Sequence, residues 1–157
     1  MRIQPAGVLD SHRTNRHTER EPGADGSVAL RRYRLNVWDV GGQKTLRAFW
    51  RNYYEQTDGL IWVVDSSDVH RLRDCREELH KLLKEERLAG ASLLILANKQ
   101  DIAGALGAEQ IEAELGLGDM GRRHWRVGGC SGVTGAGLVD SFDWIVTDIG
   151  QRIYMTD

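Results

Sequence analysis

Long apolar runs are missing from this chain. The longest are residues 60–64 and 93–97, far too short to cross a bilayer and suited to buried strands. The N-terminus, Met1-Arg2-Ile3-Gln4-Pro5, has no apolar signal region, and Arg2 stands where N-myristoylation would need glycine. A cytoplasmic location with no transmembrane segment is therefore expected. Excess charge is also missing. The formal net charge is −2, which gives no overall pull toward nucleic acid or an anionic membrane. Cysteine is scarce: Cys75 and Cys130 fit a reduced compartment, and Cys75 falls on the apolar face of an expected helix as a packed thiol. His12, His17, His70, His80 and His124 have no ligand spacing with the cysteines, which argues against a zinc site. What remains, 41% apolar and 28% charged over 157 residues, is enough for one soluble domain with a single core.

The chain changes character near Arg31. Residues 1–30 hold four arginines with interleaved acids, both prolines, three glycines and no aromatic residue. Such a segment cannot offset its ordering entropy by burial, so residues 1–31 are expected to be disordered; a short strand starting at Ser27 is the alternative. From Tyr33 the pattern becomes regular. Tyr33, Leu35, Val37 and Asp39 alternate with Arg34, Asn36 and Trp38, as in a strand. Residues 45–54 read as a loop entering a short helix. Buried strands follow at 59–65 and 92–98, with another strand at 124–130. Helices are expected at 68–87, 108–115 and 137–154. The first carries Leu72, Cys75, Leu79, Leu82 and Leu83, and the last Leu138, Phe142, Ile145, Ile149 and Ile153, at helical spacing. Alternating strands and helices predict an α/β fold with a mainly parallel sheet and flanking helices. Ligands of such sheets bind at the carboxyl ends of the strands.

Three segments follow expected strands on that rim. Asp39-Val40-Gly41-Gly42-Gln43 offers an acid suited to Mg²⁺, a glycine whose N–H can approach a terminal phosphate, and a glutamine able to orient water; alone it is a weak pattern. Asn98-Lys99-Gln100-Asp101 is stronger. The Asp101 carboxylate can accept from the N1–H and N2–H₂ edge of guanine, a donor pair that adenine lacks, for about 1–3 kcal/mol of discrimination. Asn98 can bond N7 or brace the neighbouring loops, and Lys99 can lay its stem along the base. The bland alternative is a turn with a capping aspartate. Cys130-Ser131-Gly132 can bring backbone N–H groups to guanine O6, though by itself it is only a turn of small residues.

Taken together, the stretches 35–54 (LNVWDVGGQKTLRAFWRNYY), 58–66 (DGLIWVVDS), 85–91 (EERLAGA) and 93–101 (LLILANKQD) resemble the ADP-ribosylation-factor-like family of small GTPases. The resemblance runs from about Tyr33 to the C-terminus, making 32–157 a partial small GTPase domain. It implies a Ras-like P-loop NTPase fold, GTP/GDP and Mg²⁺ as ligands, and slow GTP hydrolysis. By the family's motifs Asp39 would sit in the Mg²⁺ shell, Gly42 would sense the γ-phosphate and Gln43 would position water. Asn98, Lys99, Asp101, Ser131 and Gly132 would hold guanine. Trp38, Trp50 and Tyr53 stand on or beside the switch and would face effectors, such as tubulin-folding cofactor and prenyl-binding carrier proteins; Trp38 and Tyr53 match family aromatics, and core packing is the alternative, an equal one for Trp50. The chain would act as a monomer and without nucleic acid.

The sequence also departs from the family. The phosphate loop Gly-x-x-x-x-Gly-Lys-Ser/Thr does not occur, and Gly41-Gly42-Gln43-Lys44-Thr45 lacks the glycine needed to wrap a phosphate. The family's first strand, first helix and first switch have no counterpart, so an N-terminally truncated version of the fold is expected, with nucleotide binding weakened and hydrolysis lost. The missing strand would lie between those matching 35–39 and 60–65, leaving two edges that either close up, take in a segment such as 27–32, or destabilise the protein. Two functions stay open: a regulatory GTPase, or a non-catalytic interaction fragment. A dinucleotide-binding oxidoreductase would need Gly-x-Gly-x-x-Gly, which is not present.

Overall fold

The computed structural model describes residues 7–10, 36–39 and 47–154. Its centre is built by two strands whose side chains are apolar on both faces. β3 (Gly59–Asp65) and β4 (Ser92–Asn98) pair in parallel over their whole length, from Gly59 opposite Ser92 to Asp65 opposite Asn98. The two-residue period sorts their side chains into two layers. Leu60, Trp62, Val64, Leu93, Ile95 and Ala97 enter one core with helices α1 (Leu72–Leu82) and α2 (Ala108–Leu115). Ile61, Leu94 and Leu96 enter a second core against α3 (Leu138–Tyr154). Burial on both faces explains why these strands read as unbroken apolar runs rather than alternating ones. β5 (Trp125–Gly129) adds in parallel beside β4.

The helices keep the expected apolar stripes with adjusted ends. α1 is shorter than 68–87: a 3-10 turn, Val69–Arg71, precedes it and another, Glu86–Leu88, follows. The break comes at Glu85, whose backbone is extended, and it lets Leu88 turn inward to full burial. α2 ends where the glycine pattern placed it. Gly116 takes the left-handed conformation (φ 63°) and its N–H reaches the carbonyls of Ala113 and Glu112, the usual chemistry of a glycine stop. On α3, Ile145 and Ile149 are buried and Leu138 and Phe142 pack against them. Cys75 is the packed thiol expected of it: it accepts a hydrogen bond from Trp62 Nε1 (3.2 Å), and burial pushes its thiol pKa up.

The N-terminal segment brings a correction. Within 1–31, expected to be disordered, Gly7–Asp10 forms strand β1. It sits in the middle of the sheet, whose order is β2-β1-β3-β4-β5, with β2 at Asn36–Asp39. β1 runs antiparallel to both neighbours, Gly7 lying opposite Asp39 on one side and Ile61 on the other. The physical reason is the pair of open edges on β2 and β3. Each carries backbone donors and acceptors that must be satisfied, and a four-residue extended segment can satisfy them with no side-chain period for a sequence reading to detect. The alternative filler, residues 27–32, lies outside the described residues.

Candidate functional site

The carboxyl ends of β3, β4 and β5 meet in one cluster of loops, and the bonds within it cross from loop to loop. Asn98 is its hub. Its Oδ1 accepts from its neighbour's N–H (Lys99, 2.8 Å) and from the Gly132 N–H across the gap (2.9 Å). Two N–H donors converging on one atom fix it as the oxygen, so the amide –NH₂ is the end left to offer a donor to a ligand. Of the two roles open to Asn98, bracing is the one visible here. The backbone ties the same loops together: Ser66 N–H bonds the Asn98 carbonyl (3.1 Å), Gln100 N–H the Cys130 carbonyl (3.0 Å), and Leu106 N–H the Ser66 carbonyl (2.9 Å).

Asp101 and Ser131 form the second crossing. The Ser131 hydroxyl donates to Asp101 Oδ1 (2.6 Å) and accepts from the N–H groups of Val133 (3.2 Å) and Thr134 (3.1 Å). At 1% exposure, its one donor and two lone pairs are all satisfied. Asp101 itself is exposed. One of its four or so acceptor sites holds it in place, and the others remain for a ligand with two adjacent donors.

Lys99 adopts φ 70°, a left-handed backbone that costs a non-glycine residue about 1 kcal/mol or more. Its ammonium lies 2.6 Å from Asp65 Oδ2, while Asp65 Oδ1 accepts from the Ser67 N–H (3.1 Å) and hydroxyl (2.6 Å). Burial works against the Asp65 charge, but the Lys99 and Ser67 hydrogen bonds outweigh it and hold the carboxyl below its usual range. Asp65 was missed by the sequence reading. The available signal was its place at the end of β3, level with Asn98. Cys130 is buried with its pKa pushed up by desolvation, which leaves an unreactive thiol. Ser66 Oγ is fully buried without a hydrogen-bond partner.

The other expected site residues fall differently. Gly42 and Gln43 lie outside the described residues. Asp39 is exposed at the end of β2. Through Gly7 it is level with Ile61, four residues short of Asp65. That puts it about 13 Å down the sheet from the Asn98 cluster, at about 3.3 Å per residue. Trp38 lies on β2 and Tyr53 on the 3-10 stretch Arg47–Gln56; their side chains are outside what the structure describes. Trp50 is a correction: it is 7% exposed and meets Trp62 edge-on (centroids 6.0 Å apart, planes at 89°), with the Arg47 guanidinium 5.9 Å from its ring. Its indole fills the core and does not present itself to an effector. Gly132's N–H, expected at guanine O6, is directed at Asn98.

The donor set therefore fits a guanine base: an amide for N7, and a braced carboxylate for the N1–H and N2–H₂ edge. Among the described residues no group of three or more His, Cys, Asp or Glu side chains could hold a metal ion.

Comparison with known proteins shows where the fold belongs. The family model for the ADP-ribosylation factor family matches residues 8–149. ADP-ribosylation factor-like protein 2 of Arabidopsis thaliana is 63% identical over 132 residues, covering 83% of this chain and 71% of that protein. The Drosophila melanogaster protein of the same name is 58% identical over 125 residues, covering 80% and 68%. Among solved structures, the Arl6 BBS3 small GTPase from Trypanosoma brucei with bound nucleotide analogue GppNp aligns with a TM-score of 0.69 at 33% identity, covering 72% of this chain and 70% of that one. The parallel strands and flanking helices are those of a Ras-like small GTPase, and the chain belongs to the ADP-ribosylation factor family.

Proposed function

We propose that this chain is a guanine-recognising regulatory protein of its family. It takes GTP or GDP through the base, acts through effectors and does not turn GTP over. The observation that carries this is the pair of crossings between loops, Gly132 N–H to Asn98 Oδ1 and Ser131 Oγ to Asp101 Oδ1. They prepare an amide for N7, which both purines carry, and a carboxylate for the N1–H and N2–H₂ edge, by which guanine differs from adenine. The relative solved with GppNp supports a nucleotide on this rim.

Hydrolysis needs positioned charge around the phosphates. In this sequence no Gly-x-x-x-x-Gly-Lys-Ser/Thr supplies it, and losing even three charge-assisted contacts costs about 5 kcal/mol. The reading therefore has guanine nucleotide bound weakly and Mg²⁺ contributing little. The effector classes suggested by the family resemblance, tubulin-folding cofactor and prenyl-binding carriers with a link to microtubule regulation, belong to the same proposal. So does a monomer acting in the cytoplasm. With Trp50 in the core, an effector would meet the β2 edge, where Val37 is half exposed.

Titration with a fluorescent guanine nucleotide tests the reading. Binding weaker than about 1 μM, displaced by GDP and not by ADP, is the expected result. Equal displacement by ADP would remove the base assignment.

A further inference from the structure

Asp65 and Lys99 meet on the rim in a way that fold stability does not explain. Asp65 ends β3 opposite Asn98, the end of β4, so the two strands finish level, and Lys99 is the first residue beyond. Its backbone turns left-handed there, φ 70°, a conformation disfavoured for lysine. Its ammonium reaches across to Asp65 Oδ2 at 2.6 Å, with the Lys99 side chain 43% exposed and that of Asp65 14%. An ion pair with one partner this exposed adds little to stability. Backbone strain beside a weakly stabilising pair, both at a ligand rim, points to a task in binding.

The carboxylate is itself held. Its Oδ1 accepts from the Ser67 N–H (3.1 Å) and the Ser67 hydroxyl (2.6 Å), while Oδ2 takes Lys99. These hydrogen bonds outweigh burial and hold the carboxyl below its usual range, so the pair is charged at neutral pH. Ser67 thus fixes Asp65, and Asp65 fixes the ammonium. The apolar stem of Lys99 is stretched between the ends of β4 and β3. A free lysine stem samples many rotamers, and ordering it on a ligand weakens binding by about three- to tenfold. Here the stem is ordered before the ligand arrives.

We propose that Asp65 is a positioning residue of the guanine site: by pinning the Lys99 ammonium it preforms the lysine stem as a wall for the base, and so sets the affinity for guanine nucleotide without taking part in the choice of base. This rests on the base-site reading above and adds to it a residue that acts through Lys99. The choice of base stays with Asp101, whose carboxylate is tied to Ser131 and not to this relay.

Titration of the full chain with a fluorescent GDP, displaced by GDP and by IDP, tests it on the unchanged protein, Asp65→Ala, Lys99→Met and the double variant. Methionine keeps an apolar stem but has no ammonium for Asp65 to hold, and IDP lacks the amino group that Asp101 reads. Asp65→Ala should weaken GDP by about three- to tenfold and leave the GDP-to-IDP ratio within about twofold of the unchanged chain's. In the Lys99→Met background it should cost nothing further. A merely structural Asp65 would cost the same in both backgrounds. That result, a shifted GDP-to-IDP ratio, or no loss from Asp65→Ala would each overturn the inference and leave the base site standing. Asp65→Asn makes the same comparison if Asp65→Ala does not fold. Failure of the unchanged chain to bind GDP would overturn the base site and the inference with it.

Discussion

Ser66 and Ser131 are two buried serines on the same rim with opposite accounts. Ser131 Oγ is saturated by Asp101, Val133 and Thr134, whereas Ser66 Oγ has no partner. An unsatisfied buried hydroxyl costs stability, and a satisfied one contributes about 1 kcal/mol. Ser66→Ala should therefore leave stability unchanged or raise it slightly, while Ser131→Ala should lower it by about 1–2 kcal/mol. Urea denaturation of both variants would show the contrast, and equal losses would contradict it. Much of this rim was legible in the sequence, because Asn98, Lys99 and Asp101 directly follow an apolar strand. The positions that escaped reading depend on tertiary neighbours. Nothing local to Trp50 shows that Trp62 waits 6.0 Å away, and nothing local to Asp65 announces Lys99, 34 positions on.

Each element is held by contacts that a single atom can break. Gly137, at the start of α3, has φ 72°, and a Cβ there would lie 2.1 Å from the Gly129 carbonyl oxygen. Gly128 on β5 faces Ser141 of α3, whose Oγ would be 2.3 Å from an added Cβ. Gly128→Ala should cost about 1–3 kcal/mol, the usual range for overpacking. Adding Ser141→Ala should restore much of that by removing the obstructing hydroxyl, a coupling that a double-mutant cycle would measure.

The far end of α3 is fixed by charge. Asp148 receives hydrogen bonds from Ser92 and Arg152, and His124 Nδ1 lies 2.8 Å from its Oδ1. Burial opposes the Asp148 charge, but the Ser92 and His124 hydrogen bonds and the nearby cations outweigh it and hold the carboxyl below its ordinary range. A carboxyl depressed in the folded state stabilises the fold above its unfolded value of about 3.9 and loses that contribution as pH falls through the folded value. Asp65 is depressed in the same sense. Stability should thus be flat for these two groups above about pH 5 and decline below about pH 4. Asp148→Asn should flatten that decline in acid unfolding followed by circular dichroism; an unchanged acid slope would show that Asp148 does not contribute. The elements themselves were readable wherever period and punctuation agreed, as in β3, β4 and the Gly116 stop of α2. α1 proved shorter than its apolar stripe because the turn at Glu85 sends Leu88 inward, a choice made by the core.

At the scale of the molecule, a family sheet is completed by a strand laid in backwards. The fold class followed from the alternation of strands and helices, but β1 did not, since its pairing is a backbone event without a side-chain signature. Its direction can be checked covalently. Cysteines at positions 10 and 36, through Asp10→Cys and Asn36→Cys, should form a disulfide readily, because these residues are paired and cross-strand Cα separations of about 4.5–5.5 Å suit the bond. Gly7→Cys with Asn36→Cys should not, and the opposite pattern would mean a parallel strand. The base assignment itself is tested most directly by Asp101→Asn. Asparagine replaces a pure acceptor with a group that also donates, matching the carbonyl that xanthine carries where guanine has an amino group. The account predicts that the variant loses guanosine binding by about tenfold or more and gains xanthosine. Unchanged preference for guanosine over xanthosine would contradict it.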